Sequence, residues 1–125
     1  MDYSSGEFSR FMGISLDTLR YYEKEGLIKP KQKDNKRKVY DERDVLWMQF
    51  ILRLKNTGMP IKEIFRYSEL RSNGDSTLEE RMELLVEHRK KLKENIYQLQ
   101  DNLSKLDDKI EYYKEEISKK DKNSK

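Results

Sequence analysis

Gly13-Ile-Ser-Leu-Asp-Thr-Leu-Arg-Tyr-Tyr-Glu-Lys-Glu-Gly-Leu27 reads as a tight turn followed by a single helix. Ser15 has N-cap chemistry, since its hydroxyl accepts a helix N–H that would otherwise be orphaned. Asp17 then falls in the first turn, where the helix dipole favours an anion. Ile14 and Leu19 flank the cap at staple spacing, and Gly26 suits a left-handed stop. Leu16 and Leu19 turn inward. Thr18, Arg20, Tyr21 and Tyr22 carry more polar and aromatic chemistry than packing requires, which makes this a candidate DNA-reading helix.

Upstream, Phe8, Phe11 and Met12 have i, i+3, i+4 spacing and predict a short helix over 5–12 with an inward stripe. Gly13 breaks it. Two helices joined across such a turn form either a helix-turn-helix or an ordinary helical hairpin. Downstream, Pro30 biases Lys29 to extended geometry. Asp34-Asn35 is a turn signal, and Lys38-Val39-Tyr40 reads as a strand with Val39 inward and Lys38 and Tyr40 on the other face. The expectation is a two-stranded wing. Lys29, Lys31, Lys33, Lys36, Arg37 and Lys38 stand there against Asp34 alone. Such a run is either a phosphate-binding patch or a solvated loop.

Asp41 caps a helix expected over 42–56, whose Val45, Leu46, Met48, Phe50, Ile51, Leu52 and Leu54 make it the most apolar stretch of the chain, with Trp47 among them. Thr57-Gly58 ends it. Pro60 opens a further helix over 60–71, with Ile61, Ile64, Phe65 and Ser68 on one side. The turn-rich stretch 72–77 follows, and Thr77 with Glu80 has capping-box spacing. Beyond it Leu78, Met82, Leu85, Arg89, Leu92, Ile96, Leu99, Leu103, Leu106, Ile110, Tyr113 and Ile117 alternate spacings of four and three without a break. This is a coiled-coil seam. One helix cannot bury such a stripe alone. The expected cover is a second copy of the chain, and the small N-terminal domain is too short to replace it. The domain reading is therefore 1–72 for the DNA-binding unit, 73–118 for the dimerisation helix and 119–125 for a polar tail.

Composition sets the outer bounds. The 125 residues are 34% hydrophobic and 41% charged, too polar for one large core and suited to a small domain on a solvated helix. Net charge is +3, with the basic excess in residues 1–72. No cysteine is present, which removes disulfides, thiolate metal sites and thiol redox switching, and a single histidine removes multi-histidine metal sites. No cofactor is expected. No signal-peptide core or membrane span is visible, so the expectation is a soluble, cytoplasmic protein with no membrane partner.

The stretch Ser15-Leu-Asp-Thr-Leu-Arg-Tyr-Tyr-Glu-Lys-Glu-Gly-Leu-Ile-Lys-Pro30 resembles the signature of MerR-type bacterial transcription regulators. Val39-Tyr40, Asp44-Val45, Leu54 to Gly58 and Pro60-Ile-Lys-Glu-Ile64 continue the likeness, which covers roughly residues 3–117. The resemblance implies a mainly α fold: a winged helix-turn-helix DNA-binding domain followed by a long dimerisation coiled-coil helix, antiparallel between subunits. It implies a homodimer on a palindromic promoter, bending and untwisting an over-long spacer so that RNA polymerase can use it. By position, Arg20 and Tyr21 would hold phosphates, and Tyr22 would either pack or grip the backbone. Lys38 and Tyr40 would be wing contacts, with Lys31 and Arg37 in the same basic patch, and Leu16, Asp17 and Thr18 would face the bases. The family wing often carries Gly-Tyr-Arg where this chain has Lys36, Arg37 and Lys38, so the basic character is kept while the glycine and the aromatic are lost. Cysteine-based sensing is excluded, and with the sequence ending at 125 no C-terminal effector domain is expected. Trp47, Phe50, Leu54, Leu85 and His88 are candidates for lining an effector pocket, against a dry structural interface. The competing functions are an architectural or recombination accessory protein that bends DNA and a coiled-coil adaptor that binds only protein. An enzyme is not expected, because the carboxylates lie on solvated helical faces.

Overall fold

The computed structural model describes residues 1–123. Five α-helices and one hairpin follow in order: α1 (Ser5–Met12), α2 (Leu16–Lys24), β1 (Lys31–Gln32), β2 (Lys38–Val39), α3 (Glu42–Asn56), α4 (Ile61–Ser72), a 3-10 turn over Asp75–Thr77 and α5 (Leu78–Asn123). Residues Met1–Val86 form one compact unit, and a second begins at Glu87. The first unit thus takes in the opening turns of α5, beyond the boundary expected at residue 72.

Caps start the helices where the side chains demand. Ser4 and Glu7 form a reciprocal capping box on α1, and Asp41 and Asp44 form one on α3. Hydrogen bonds from the backbone hold the Glu7 and Asp41 carboxyls below their ordinary range, whereas burial raises that of Asp44. Ser15 Oγ accepts the Thr18 N–H at 3.0 Å and caps α2 as expected. Ser15→Ala should cost about 1 kcal/mol of stability, read as a lower urea midpoint at unchanged slope. Gly13 and Gly26 take positive φ, +70° and +77°, and so end α1 and α2.

Thr77 behaves differently from its capping-box expectation. Its hydroxyl serves the turn: it hydrogen-bonds the Leu70 and Gly74 carbonyls at 2.6 and 2.7 Å and accepts from Arg81 Nε at 3.0 Å. The 3-10 turn gives that oxygen to the carbonyls at the end of α4.

The core of the first unit is built from α1 to α4 and the segments between them. Phe8, Leu19, Tyr22, Leu27, Ile28, Tyr40, Val45, Met48, Ile51, Leu54, Met59 and Ile64 are buried together. In α3 the buried set recurs every three residues, so Leu46 faces outward at 67% exposure although it sits in the most apolar stretch. Phe11 likewise lies outside the expected α1 stripe, 57% exposed, with its ring 5.4 Å from Tyr3, while Ser9 takes the inward place. Leu16 and Ile61, read as inward-facing, are exposed as well, because each stands at the first position of its helix.

The hairpin is antiparallel, with Lys31 opposite Val39 and Gln32 opposite Lys38. Its turn is closed by Lys36 N–H to Lys33 O at 2.8 Å and Lys33 N–H to Arg37 O at 2.9 Å. Lys36 has φ +62°. The left-handed turn that a glycine would supply is therefore kept with a lysine, a conformation that costs a non-glycine residue roughly 1–2 kcal/mol. Tyr3 extends the sheet by exchanging both backbone hydrogen bonds with Tyr40, at 2.8 and 2.9 Å.

In the second unit α5 runs on as one helix to Asn123. The seam residues Ile96, Leu99, Leu103, Leu106, Ile110, Tyr113 and Ile117 are exposed in the single chain. The polar tail expected from residue 119 is helical through Asn123, and residues 124–125 lie outside the described residues. Lysine and aspartate at these positions are compatible with a helix, Lys120 and Lys122 suit the negative end of its dipole, and Lys119 pairs with Glu116 at 3.5 Å.

Candidate nucleic-acid interface

A DNA-reading helix must keep one face packed and the other open. Leu19 and Tyr22 anchor α2 in the core. Leu16, Asp17, Arg20 and Tyr21 are exposed on its other side, and Thr18 is half-buried. Arg20 NH1 lies 3.7 Å from Asp17 Oδ1, with both side chains largely in solvent. Such a pair is worth little and yields readily to a phosphate. The Tyr21 ring packs edge-on to Phe65 of α4 at 5.9 Å, which holds its direction.

The wing adds charge beside this helix. Lys31, Lys33, Lys36, Arg37 and Lys38 are all exposed. Lys31 Nζ stands 3.8 Å from Asp41 Oδ2, a loose and well-solvated pair. Lys38 is engaged more firmly, 2.6 Å from Glu23 Oε2.

Two expected contacts are corrected. Tyr40 has no exposed surface. Its ring stacks on Phe8 with centroids 4.4 Å apart, its backbone pairs with Tyr3, and its hydroxyl donates to Glu23 Oε1. Alternation along β2 put it on the outer face with Lys38. The strand ends at Val39, however, and the chain turns inward at Tyr40 to reach the Asp41 cap. Tyr22 is buried as well, which decides its open alternative in favour of packing. Neither side chain is available to a DNA backbone.

Sequence reasoning overlooked Glu23 and Tyr3. Glu23 follows Leu19 and Tyr22 at i+4 and i+1, on the flank of the buried side of α2, and that spacing was the available signal. Tyr3 gave none, because its partner is 37 residues away by backbone pairing rather than by side-chain pattern.

The residues suggested for an effector pocket divide between the units. Trp47, Phe50, Leu54 and Leu85 belong to the first and His88 to the second. Within the first unit the Trp47 ring is stacked with Tyr67 at 6.2 Å, the Arg71 guanidinium lies 4.1 Å over it, and its Nε1 donates to the Leu27 carbonyl at 2.7 Å. Phe50 packs on Tyr67 at 5.5 Å. Protein groups therefore cover part of both rings, and Trp47 and Phe50 remain half-buried. Among the described residues no cluster of His, Cys, Asp or Glu could hold a metal, and no helix is long and apolar enough to cross a membrane.

Comparison with known proteins agrees with this geometry. Residues 3–70 match the family model described as "MerR HTH family regulatory protein", and residues 45–109 match "MerR, DNA binding". The chain belongs to the MerR family. It is 39% identical over 89 residues to the HTH-type transcriptional regulator AdhR of Bacillus subtilis, a match covering 70% of this chain and 64% of that protein. The chain thus spans slightly less than two thirds of that relative. Among solved structures it resembles HiNmlR, described as a MerR family regulator lacking the sensor domain, bound to promoter DNA. There the TM-score is 0.74 at 35% identity, over 83% of this chain and 80% of that one. A putative MerR family regulator from Listeria monocytogenes gives a TM-score of 0.83 at 35% identity, over 89% and 85%. The winged helix-turn-helix and the long C-terminal helix are thus those of MerR proteins, and the relatives are transcriptional regulators.

Proposed function

We propose that this chain binds a palindromic promoter as a homodimer and regulates transcription by distorting the DNA between its half-sites, where RNA polymerase engages. The observation that carries the reading is the pairing of α2, open along Leu16, Asp17, Thr18, Arg20 and Tyr21, with a wing that exposes Lys31, Lys33, Lys36, Arg37 and Lys38 against Asp34 alone. A helix of that chemistry fits a major groove, and lysines and arginines beside it fit the flanking phosphates. The promoter complex of HiNmlR supports this use of the fold. The exposed seam of α5 supports a second copy, which would supply a second α2 for the other half of a two-fold operator. Such a protein works beside the chromosome, in the cytoplasm, and has no need of enzymatic chemistry.

The test is a mobility-shift titration on the protein's own upstream region over a range of salt concentrations. Arg20→Ala should weaken binding to every duplex sequence alike. With one phosphate left unneutralised per subunit, it should reduce the salt slope by about 1.8. Binding with an unchanged slope would remove Arg20 from the interface. A footprint confined to one palindrome is the expected pattern, and broad protection would favour an architectural protein. Absence of binding at low salt would end the DNA reading.

A further inference from the structure

Glu23 is the residue of α2 that base reading and phosphate contact leave without a role. Its side chain is only 11% exposed, at the flank of the buried side of α2. A carboxylate so placed is costly unless paired. Two groups pair it, both from the wing. Lys38 Nζ lies 2.6 Å from Oε2, and the Tyr40 hydroxyl donates to Oε1. These partners are 15 and 17 residues further along the chain. One carboxylate therefore ties the recognition helix to β2 and to the residue that anchors β2 in the core.

The tie changes how Lys38 should be read. An ammonium in contact with a carboxylate adds little net field at a phosphate, because the two charges largely cancel beyond a few ångströms. Lys31 differs, since its partner Asp41 is 3.8 Å away and its own side chain is 84% exposed. Lys33, Lys36 and Arg37, at and beside the hairpin turn, are exposed, and no carboxylate among the described residues holds them. The phosphate grip of the wing falls to these residues, while Lys38 points back to α2. A wing held rigidly at one distance from α2 binds a backbone without first having to be ordered.

We propose that Glu23 is a positioning residue of the DNA interface: by sharing its carboxylate between Lys38 and Tyr40 it locks the wing to the recognition helix, and Lys38 is a strut rather than a phosphate contact. The proposal rests on the reading that α2 and the wing meet the same duplex.

Two measurements on the full chain test it. The first titrates wild type, Glu23→Gln, Lys38→Met and the double variant against the upstream duplex across salt, with thermal unfolding of each free protein as a control of folding. Loss of one charged hydrogen bond should weaken binding about tenfold in each single variant. The double variant should bind no worse than the weaker single, since both break the same tie. The salt slope should stay at the wild-type value. A slope lower by about 1.8 for Lys38→Met would show a phosphate contact in each subunit and overturn the proposal. Tighter binding by Glu23→Gln, with Lys38 released toward DNA, would overturn it too. The second measurement is amide hydrogen exchange in the free protein. Lys33 and Lys36, which close the hairpin turn, should exchange about tenfold faster in Glu23→Gln, as the absence of one charged hydrogen bond implies. Unchanged exchange would overturn the strut. Tyr40→Phe removes one of the two bonds and little packing. It serves if a charge variant fails to fold, with a loss of about threefold expected in affinity and the same rise in exchange. If wild type binds no duplex, the DNA reading itself falls. If wild type binds and the variants match it, only the role of Glu23 falls.

Discussion

Replacing Leu99 and Leu103 together with lysine is expected to convert the protein to a monomer and to reduce its affinity for a palindromic operator to that for a single half-site. The two side chains are 67% and 58% exposed on the single chain and stand one coiled-coil step apart on the α5 seam. Around them the stripe continues without a polar break from Leu92 to Ile117. Such a run of solvent-exposed leucine and isoleucine is far larger than the scattered apolar residues that monomeric proteins tolerate. Two lysines at its centre would place four ammonium groups inside a two-stranded coil, at positions the sequence fills with apolar side chains. Sedimentation should then report a single chain. Because the second half-site is held by linkage to the first, losing the dimer should lower palindrome affinity by about 10²–10⁴-fold, while a single half-site duplex is bound as weakly as before. The far-UV signal of α5 should also fall, since a helix with an uncovered stripe is marginal in water. A lysine variant that still sediments as a dimer would show that the seam is not the interface.

Much of this organisation was legible in the order of residues, for reasons that differ by element. The helix starts were readable because N-caps are local chemistry: Ser15 and Asp41 act within three residues of themselves. The seam was readable because its period persists over forty residues, longer than any accidental pattern. What stayed hidden depends on contacts between distant segments. Tyr40 alternates with Val39 as an outward strand residue should, and only the Phe8 ring and the Tyr3 backbone, supplied from the N-terminus, draw it inside. Glu23 looked like one more solvated acid in a highly charged chain, because its partners lie beyond the wing. Thr77 had the spacing of a cap, yet the 3-10 turn gave its hydroxyl to the end of α4. In the interface, exposed cations could be found from composition. The proposed division between those that grip and those that brace could not, since it depends on which carboxylate folds beside which lysine.

The burial of Tyr40 leads to a result opposite to that expected of a phosphate contact. Tyr40→Ala should destabilise the free protein by about 3–5 kcal/mol, the range for truncating a buried aromatic side chain, with the urea midpoint falling accordingly. Three losses combine at this site. The ring leaves a cavity against Phe8, where the centroids are 4.4 Å apart. Glu23 loses one of its two partners and keeps its burial. The chain between β2 and the Asp41 cap loses the anchor that holds the wing against α1. Tyr40→Phe keeps the ring and should cost only about 1 kcal/mol, the worth of one hydrogen bond. A residue whose hydroxyl touched DNA would show the reverse order: both variants would weaken binding alike, and neither would move the urea midpoint much. Measuring unfolding and DNA titration on the same two variants separates the cases. A Tyr40→Ala protein as stable as wild type but deficient in binding would return Tyr40 to the DNA surface. A protein that unfolds at lower urea and, at temperatures where it is folded, keeps the modest loss of about threefold that the missing Glu23 bond implies would place Tyr40 in the core, as the stacked ring and the buried hydroxyl require.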